Sequence, residues 1–179
     1  HVTTFGERER LDVEAGITAL LASANTEGPT VLLLGASMGA ATALLTAAAD
    51  PRVAGVLAES SYSDLESMLR FRLRLLPEGL QRLGARLCAL AAYVVPGVDL
   101  DSISPLRAIS ALPPGFPLVL LHAGLDNIVP LTCGQQLAQH RGLRLEVFAD
   151  AGHAGCLASD PARYERLLRE LLAMAPKPR

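Results

Sequence analysis

Ser37 stands between two glycines in Gly35-Ala36-Ser37-Met38-Gly39, directly after the apolar run Val31-Leu32-Leu33-Leu34. A helix-forming stretch, Ala40-Ala41-Thr42-Ala43-Leu44-Leu45, follows at once. A serine at such a joint of strand and helix sits on a sharp turn in strained backbone, with its hydroxyl held over the sheet edge. Glycines on both sides remove Cβ atoms that would collide there. The turn also aims the N–H groups of the helix N-terminus at negative charge forming beside the hydroxyl. The amide of Met38 is the first of these oxyanion-stabilising groups. The chemistry open to such a serine is nucleophilic attack.

A serine hydroxyl needs a base to take its proton, and the base needs an acid to fix its tautomer. Two later segments offer both. The apolar run Leu118-Val119-Leu120-Leu121 leads into His122-Ala123-Gly124-Leu125-Asp126-Asn127-Ile128-Val129-Pro130. The run Leu143-Arg144-Leu145-Glu146-Val147-Phe148 leads into Asp150-Ala151-Gly152-His153-Ala154-Gly155. In a parallel sheet the loops at the strand C-terminal ends share one edge, so Ser37, Asp126 and His153 are expected to converge. Ser37 is then the nucleophile, His153 the general base and later acid, and Asp126 the orienting carboxylate. Glu59, after the strand that follows the elbow, is an alternative acid with only its position in its favour. The reaction these roles describe is acyl transfer to water through an acyl-enzyme, and it requires no cofactor and no metal.

The remaining elements must position these loops. Asp12 is expected to cap a helix with an apolar stripe at Val13, Ile17, Leu20 and Leu21. A helix from Met38 to about Ala49 stops at Asp50-Pro51, and Val53 to Ala58 reads as a buried strand. Asp160 and Pro161 open a last helix with its stripe at Tyr164, Leu167, Leu168, Leu171 and Leu172. Continuous apolar strands alternating with helices imply an α/β fold: a mainly parallel sheet with helices on both faces.

Between about Asp64 and Pro96 the pattern changes to two helices broken at Pro77-Glu78-Gly79. The second has a stripe at Leu80, Leu83, Leu87, Leu90 and Val94. Arg70, Arg72 and Arg74 lie on the first helix and Arg82 and Arg86 on the second. The arginines fit three readings: solvated surface charges, a lid for acidic substrates, or a docking face.

The elbow, the His-Ala-Gly-Leu-Asp-Asn-Ile-Val-Pro run and the Ala-Gly-His-Ala-Gly run, in that order, resemble the three signature blocks of the α/β-hydrolase superfamily. The closest likeness is to its esterase and acyl-peptidase branch. Ile103-Ser104-Pro105-Leu106 and Thr4-Phe5-Gly6-Glu7 extend the likeness over almost the whole chain. It implies a serine hydrolase acting on an ester, thioester or small amide, in a single domain over 1–179 with a lid-like insertion at 64–96. Such relatives begin with further strands and a helix ahead of the position of His1, and that part supplies the second oxyanion donor. The chain is therefore expected to be an N-terminally truncated or processed hydrolase. A non-catalytic interaction module that keeps the triad is the alternative. Without the preceding strands, Val31 to Leu34 becomes an unprotected edge, so self-association or association with the missing segment is expected.

Composition narrows the partners. A net charge of −2 argues against nucleic acid. Half the residues of the 179-residue chain are hydrophobic, yet no run reaches the length of a membrane span, and no membrane partner is expected. Three cysteines, Cys88, Cys133 and Cys156, have no paired spacing, which favours a reducing compartment, the cytoplasm by default. Cys156 either lines the site or is a small buried hydrophobe. His122 is expected to hydrogen-bond locally and His140 to sit near a helix end. These cysteines and histidines lack metal-ligand spacing.

Overall fold

A computed structural model describes residues 3–23, 28–94 and 103–176. The strands Val31–Ala36 (β1), Val53–Glu59 (β2), Leu118–Ala123 (β3) and Leu145–Phe148 (β4) form a sheet in the order β1-β2-β3-β4. Every pair is parallel. Ala36 lies opposite Glu59, Glu59 opposite Leu121, and Leu121 opposite Glu146. β1 and β2 end at this row and β3 and β4 run two residues past it, so all four C-terminal ends lie along one edge.

Eight helices are described: α1 Glu9–Leu21, α2 Met38–Ala49, α3 Leu65–Arg72, α4 Glu78–Val94, α5 Pro105–Ala111, α6 Leu131–Arg141, α7 Cys156–Ser159 and α8 Pro161–Met174. The strands are apolar on both faces because both faces are covered. Val56, Ala58, Leu118 and Leu120 pack beneath α2, α5 and α6, against Leu44, Ile109 and Leu137. Leu57, Val119 and Leu121 point the other way, against Leu167 and Leu171 of α8. Leu44, Leu57 and Leu171 are 0% exposed, and each such burial contributes about 1.5–3 kcal/mol. No helix among the described residues is long and apolar enough to cross a membrane.

Asp12 does not cap the first helix. It lies in the first turn of α1, which starts at Glu9. The Glu9 carboxylate accepts the Thr4 N–H at 2.7 Å, the Thr4 hydroxyl at 2.6 Å and the Gly6 N–H at 2.8 Å. Those bonds gather the preceding turn and start the helix early. Leu20 is 53% exposed, so it drops out of the expected apolar stripe.

The segment from Asp64 forms α3 and α4, but the break runs through Leu73 to Pro77, ahead of the expected glycine. Asp64 caps α3 by accepting the Ser67 N–H at 2.7 Å. Arg82 and Arg70 both approach Glu78, at 2.5 and 3.9 Å, and Arg74 lies over the Phe71 ring, 4.2 Å from its centre. These three arginines are engaged within the hairpin itself. Residues 95–96 and the side chain of Val94 lie outside the described residues.

The two ends of the sheet differ. The short strand β4 is guarded by Arg163, which donates to the Val147 carbonyl at 2.9 Å and pairs with Glu146 at 2.6 Å. β1 carries no such charge. Leu34 is 50% exposed, whereas every residue of β3 is buried. A cleft of ≈ 280 Å³ beside it is lined by Val13, Leu33, Leu34, Met38 and Ala43, with Glu9, Gly39 and Thr42. Among the described residues no strand pairs with the outer edge of β1, and such an edge together with apolar side chains favours association. The 179-residue chain is expected to sediment as a dimer or larger species, and Leu34→Lys to shift it toward monomer. A monomeric unsubstituted chain would overturn this expectation.

Candidate active site

The turn between β1 and α2 holds Ser37 at φ 54° and ψ −121°, a conformation that costs a non-glycine residue about 1–3 kcal/mol. Its neighbours hold it there. The Ser37 N–H donates to the Glu59 carbonyl at 2.8 Å, and the Ala40 and Ala41 N–H groups donate to the Ser37 carbonyl, both at 3.1 Å. A Cβ at Gly35 would stand 2.3 Å from the Gly39 carbonyl oxygen, so the turn closes only over a glycine. Gly39 is different: a Cβ there meets nothing within 4 Å. The expectation that both glycines relieve collisions is therefore corrected to Gly35 alone.

The loop after β3 presents Asp126. Its Oδ1 accepts the Ile128 and Val129 N–H groups, both at 2.9 Å, which folds the loop around the carboxylate. A Cβ at Gly124 would meet the Ala149 carbonyl oxygen at 2.6 Å, because this loop and the loop after β4 cross closely. The Gly124 N–H donates to the Phe148 carbonyl at 2.7 Å and the Leu125 N–H to the Ala151 carbonyl at 2.9 Å. These bonds fasten the two loops to each other.

The second of them carries His153, with Ala154 beyond it at φ 53°. His153 Nδ1 lies 2.8 Å from Asp126 Oδ2 and 3.0 Å from Oδ1. Its Nε2 lies 2.8 Å from Ser37 Oγ. Asp126, ionised, can only accept, so Nδ1 carries the proton and Nε2 accepts from the Ser37 hydroxyl. The Asp126 side chain is fully buried and that of His153 is 17% exposed. Burial opposes the Asp126 charge, but the hydrogen bonds from His153, Val129 and Ile128 outweigh it and hold the carboxyl below its ordinary pKa.

The other expected candidates take different places. Glu59 does not reach His153: its Oε1 accepts the Cys156 N–H at 2.8 Å. Cys156 is 0% exposed; burial first, then the Glu59 hydrogen bond and charge, push its thiol pKa up, so it stays protonated. The Met38 amide opens α2 beside Ser37, where a helix N–H has no partner within its own helix. His140 lies in the last turn of α6, with Nε2 2.6 Å from Ser110 Oγ. Among the described residues, no group of three or more His, Cys, Asp or Glu is arranged to hold a metal ion.

His122 was legible only as a local partner, and its place is beneath the acid loop. It is 0% exposed, and its Nε2–H donates to the Val129 carbonyl at 3.2 Å. Nδ1 is buried with no hydrogen-bond partner. A Cβ at Gly134 would press on it at 2.6 Å, so the glycine makes room for the ring. Burial lowers the His122 pKa from the ordinary 6.5, against the raising effects of Val129 and Asp126.

The fold and the comparisons agree. An esterase of Pyrococcus furiosus superposes with a TM-score of 0.71 at 21% identity, covering 97% of this chain and 64% of that one. An acylaminoacyl peptidase of Pyrococcus horikoshii gives 0.66 at 17% identity, covering 95% and 27%. A puromycin-hydrolysing peptidase of Mycobacterium tuberculosis gives 0.64 at 18%, covering 96% and 25%. The chain thus spans less than two thirds of the esterase it resembles. No curated protein matches it. Residues 3–167 match the model of the alpha/beta hydrolase family, and the chain belongs to that family.

Two outcomes test this local account. Gly35→Ala should abolish folding or cost more than ~3 kcal/mol in urea unfolding. Gly39→Ala, inside a helix with open space, should be neutral or stabilise by up to ~1 kcal/mol. His122 tests the buried charge balance. Its folded pKa lies below 6.5, so the unfolded chain takes up the proton first, and stability falls as pH drops through 6.5. His122→Gln, which keeps an N–H for Val129, should lose less stability than the wild type between about pH 7 and 5. Equal losses would count against this role.

Proposed function

We propose that the chain is a serine hydrolase that cleaves an ester, thioester or small amide through an acyl-enzyme. The observation that carries this reading is the continuous hydrogen-bonded row from Ser37 Oγ through His153 to Asp126, at 2.8 Å on each side of the ring. Ser37 Oγ attacks the carbonyl carbon as its proton passes to His153 Nε2. Asp126 stabilises the imidazolium, and the Met38 N–H receives the developing oxyanion. His153 then gives its proton to the leaving group as the carbon–leaving-group bond breaks. Water, deprotonated by the same nitrogen, attacks the acyl-enzyme, and the acid departs with Ser37 restored.

We assign substrate selection to the α3–α4 hairpin as a lid. In support, Leu65 at the start of α3 packs with Val129 of the acid loop. The leucines Leu80, Leu83, Leu87 and Leu90 of α4 are 50–58% exposed and present an apolar surface. Arg70, Arg74 and Arg82 are engaged locally, so an acid-binding role of the hairpin would fall to Arg72 and Arg86.

A fluorophosphonate probe should label Ser37, and labelling should vanish in Ser37→Ala and nearly vanish in His153→Ala. With a p-nitrophenyl ester, Asp126→Asn should cut kcat by about 10³–10⁴-fold, because the wrong tautomer then faces Ser37. Glu59→Gln should cost far less. Attachment at another serine overturns the assignment, and an inert wild-type chain favours the non-catalytic alternative.

A further inference from the structure

Glu59 has no step in the proposed mechanism, yet it is 3% exposed and engaged at both ends. Its backbone carbonyl accepts the N–H of Ser37 at 2.8 Å. Its side chain accepts the N–H of Cys156 at the same 2.8 Å. Cys156 opens α7, directly after the loop that carries His153. One residue at the end of β2 therefore grips the turn of the nucleophile and the far side of the histidine loop.

That loop needs such a grip. It begins at the end of β4, crosses the acid loop, and reaches the sheet edge through Ala154 at φ 53°. Its near side is fastened to the acid loop by Gly124 and Leu125. Its far side closes on itself, with the Gly155 N–H on the Gly152 carbonyl at 3.0 Å, and is fastened to the sheet through Cys156 and Glu59. A hydrogen bond between buried groups is strong there and costly to leave unmade.

We infer that Glu59 is a positioning residue: it clamps the histidine loop to the end of β2, where its own carbonyl holds the Ser37 N–H, and so sets the distance between Ser37 and His153. The inference rests on the roles proposed above for those two residues. A charge partner for His153 is a different role, and the geometry does not favour it. Nδ1 of His153 is already taken by Asp126, and the Glu59 carboxylate faces Cys156.

The test compares Glu59→Ala with Glu59→Gln in the 179-residue chain. The glutamine keeps a carbonyl oxygen for the Cys156 N–H and loses the charge. Glu59→Ala should lower kcat on a p-nitrophenyl ester by about 10- to 100-fold through misplacement, with KM changed by less than about two-fold. Glu59→Gln should recover most of the loss. Hydrogen exchange at the Cys156 amide should quicken in Glu59→Ala and remain slow in Glu59→Gln. Should Glu59→Ala not fold, Glu59→Leu takes its place, filling the volume without an acceptor. Wild-type kcat in the alanine or leucine variant, or equal impairment in glutamine and alanine, overturns the clamp. A wild-type chain without turnover sinks the proposed function, and the exchange pattern then decides the clamp by itself.

Discussion

The shared C-terminal edge of three parallel strands is the constraint on which the site depends. Ala36, Glu59, Leu121 and Glu146 lie in one row across the sheet. Each of the loops that carries Ser37, Asp126 or His153 leaves the sheet at that row or two residues beyond it, on the same side. A shift of one strand by one residue would turn its side chains to the opposite face and bury the wrong set. The apolar alternation between the α2 side and the α8 side therefore does two things. It excludes water from both faces, and it locks the register that lets three distant residues meet. Packing and site geometry are one requirement.

Polar groups beneath the site are kept in their places by short reciprocal bonds. Asp126 accepts from two loop amides and from His153, which keeps a carboxylate charged where burial opposes it. The amide of Val129 serves Asp126 while its carbonyl receives the buried ring of His122. Leaving Nδ1 of His122 without a partner costs about 1–3 kcal/mol. The ring's other nitrogen braces the acid loop in return.

Much of this was legible in the residues. Unbroken apolar runs ending in glycine-bearing loops mark parallel strands, and Ser37, Asp126 and His153 stand at the ends of three of them. The capping of the last helix by Asp160 with Pro161 behind it is equally local, and the structure has it. What depends on neighbours was not legible. Glu9 starts α1 because Thr4 and Gly6 donate to it, and no helical periodicity marks that arrangement. Helix α5 carries a local signal of the same kind, Ser104 capping the Arg107 N–H with Pro105 at the first position. Gly39 looked equivalent to Gly35 because spacing cannot say which glycine faces backbone. Glu59 looked like an acid because its strand ends beside Ser37. Its actual partner, the Cys156 amide, comes from a loop distant in sequence.

The position of β1 at one end of the sheet separates assembly from chemistry. Ser37 is held from within: by the Glu59 carbonyl of β2, by the first turn of α2, and by the His153 ring. None of these bonds reaches the outer edge of β1, where Leu34 is exposed. Covering that edge would bury apolar surface and satisfy backbone groups. It would leave the Ser37–His153 approach under the control of β2 and the loops after β3 and β4. Hydrogen bonds on the inner side of the elbow thus set the geometry of Ser37 and His153, while the outer side is where association is expected.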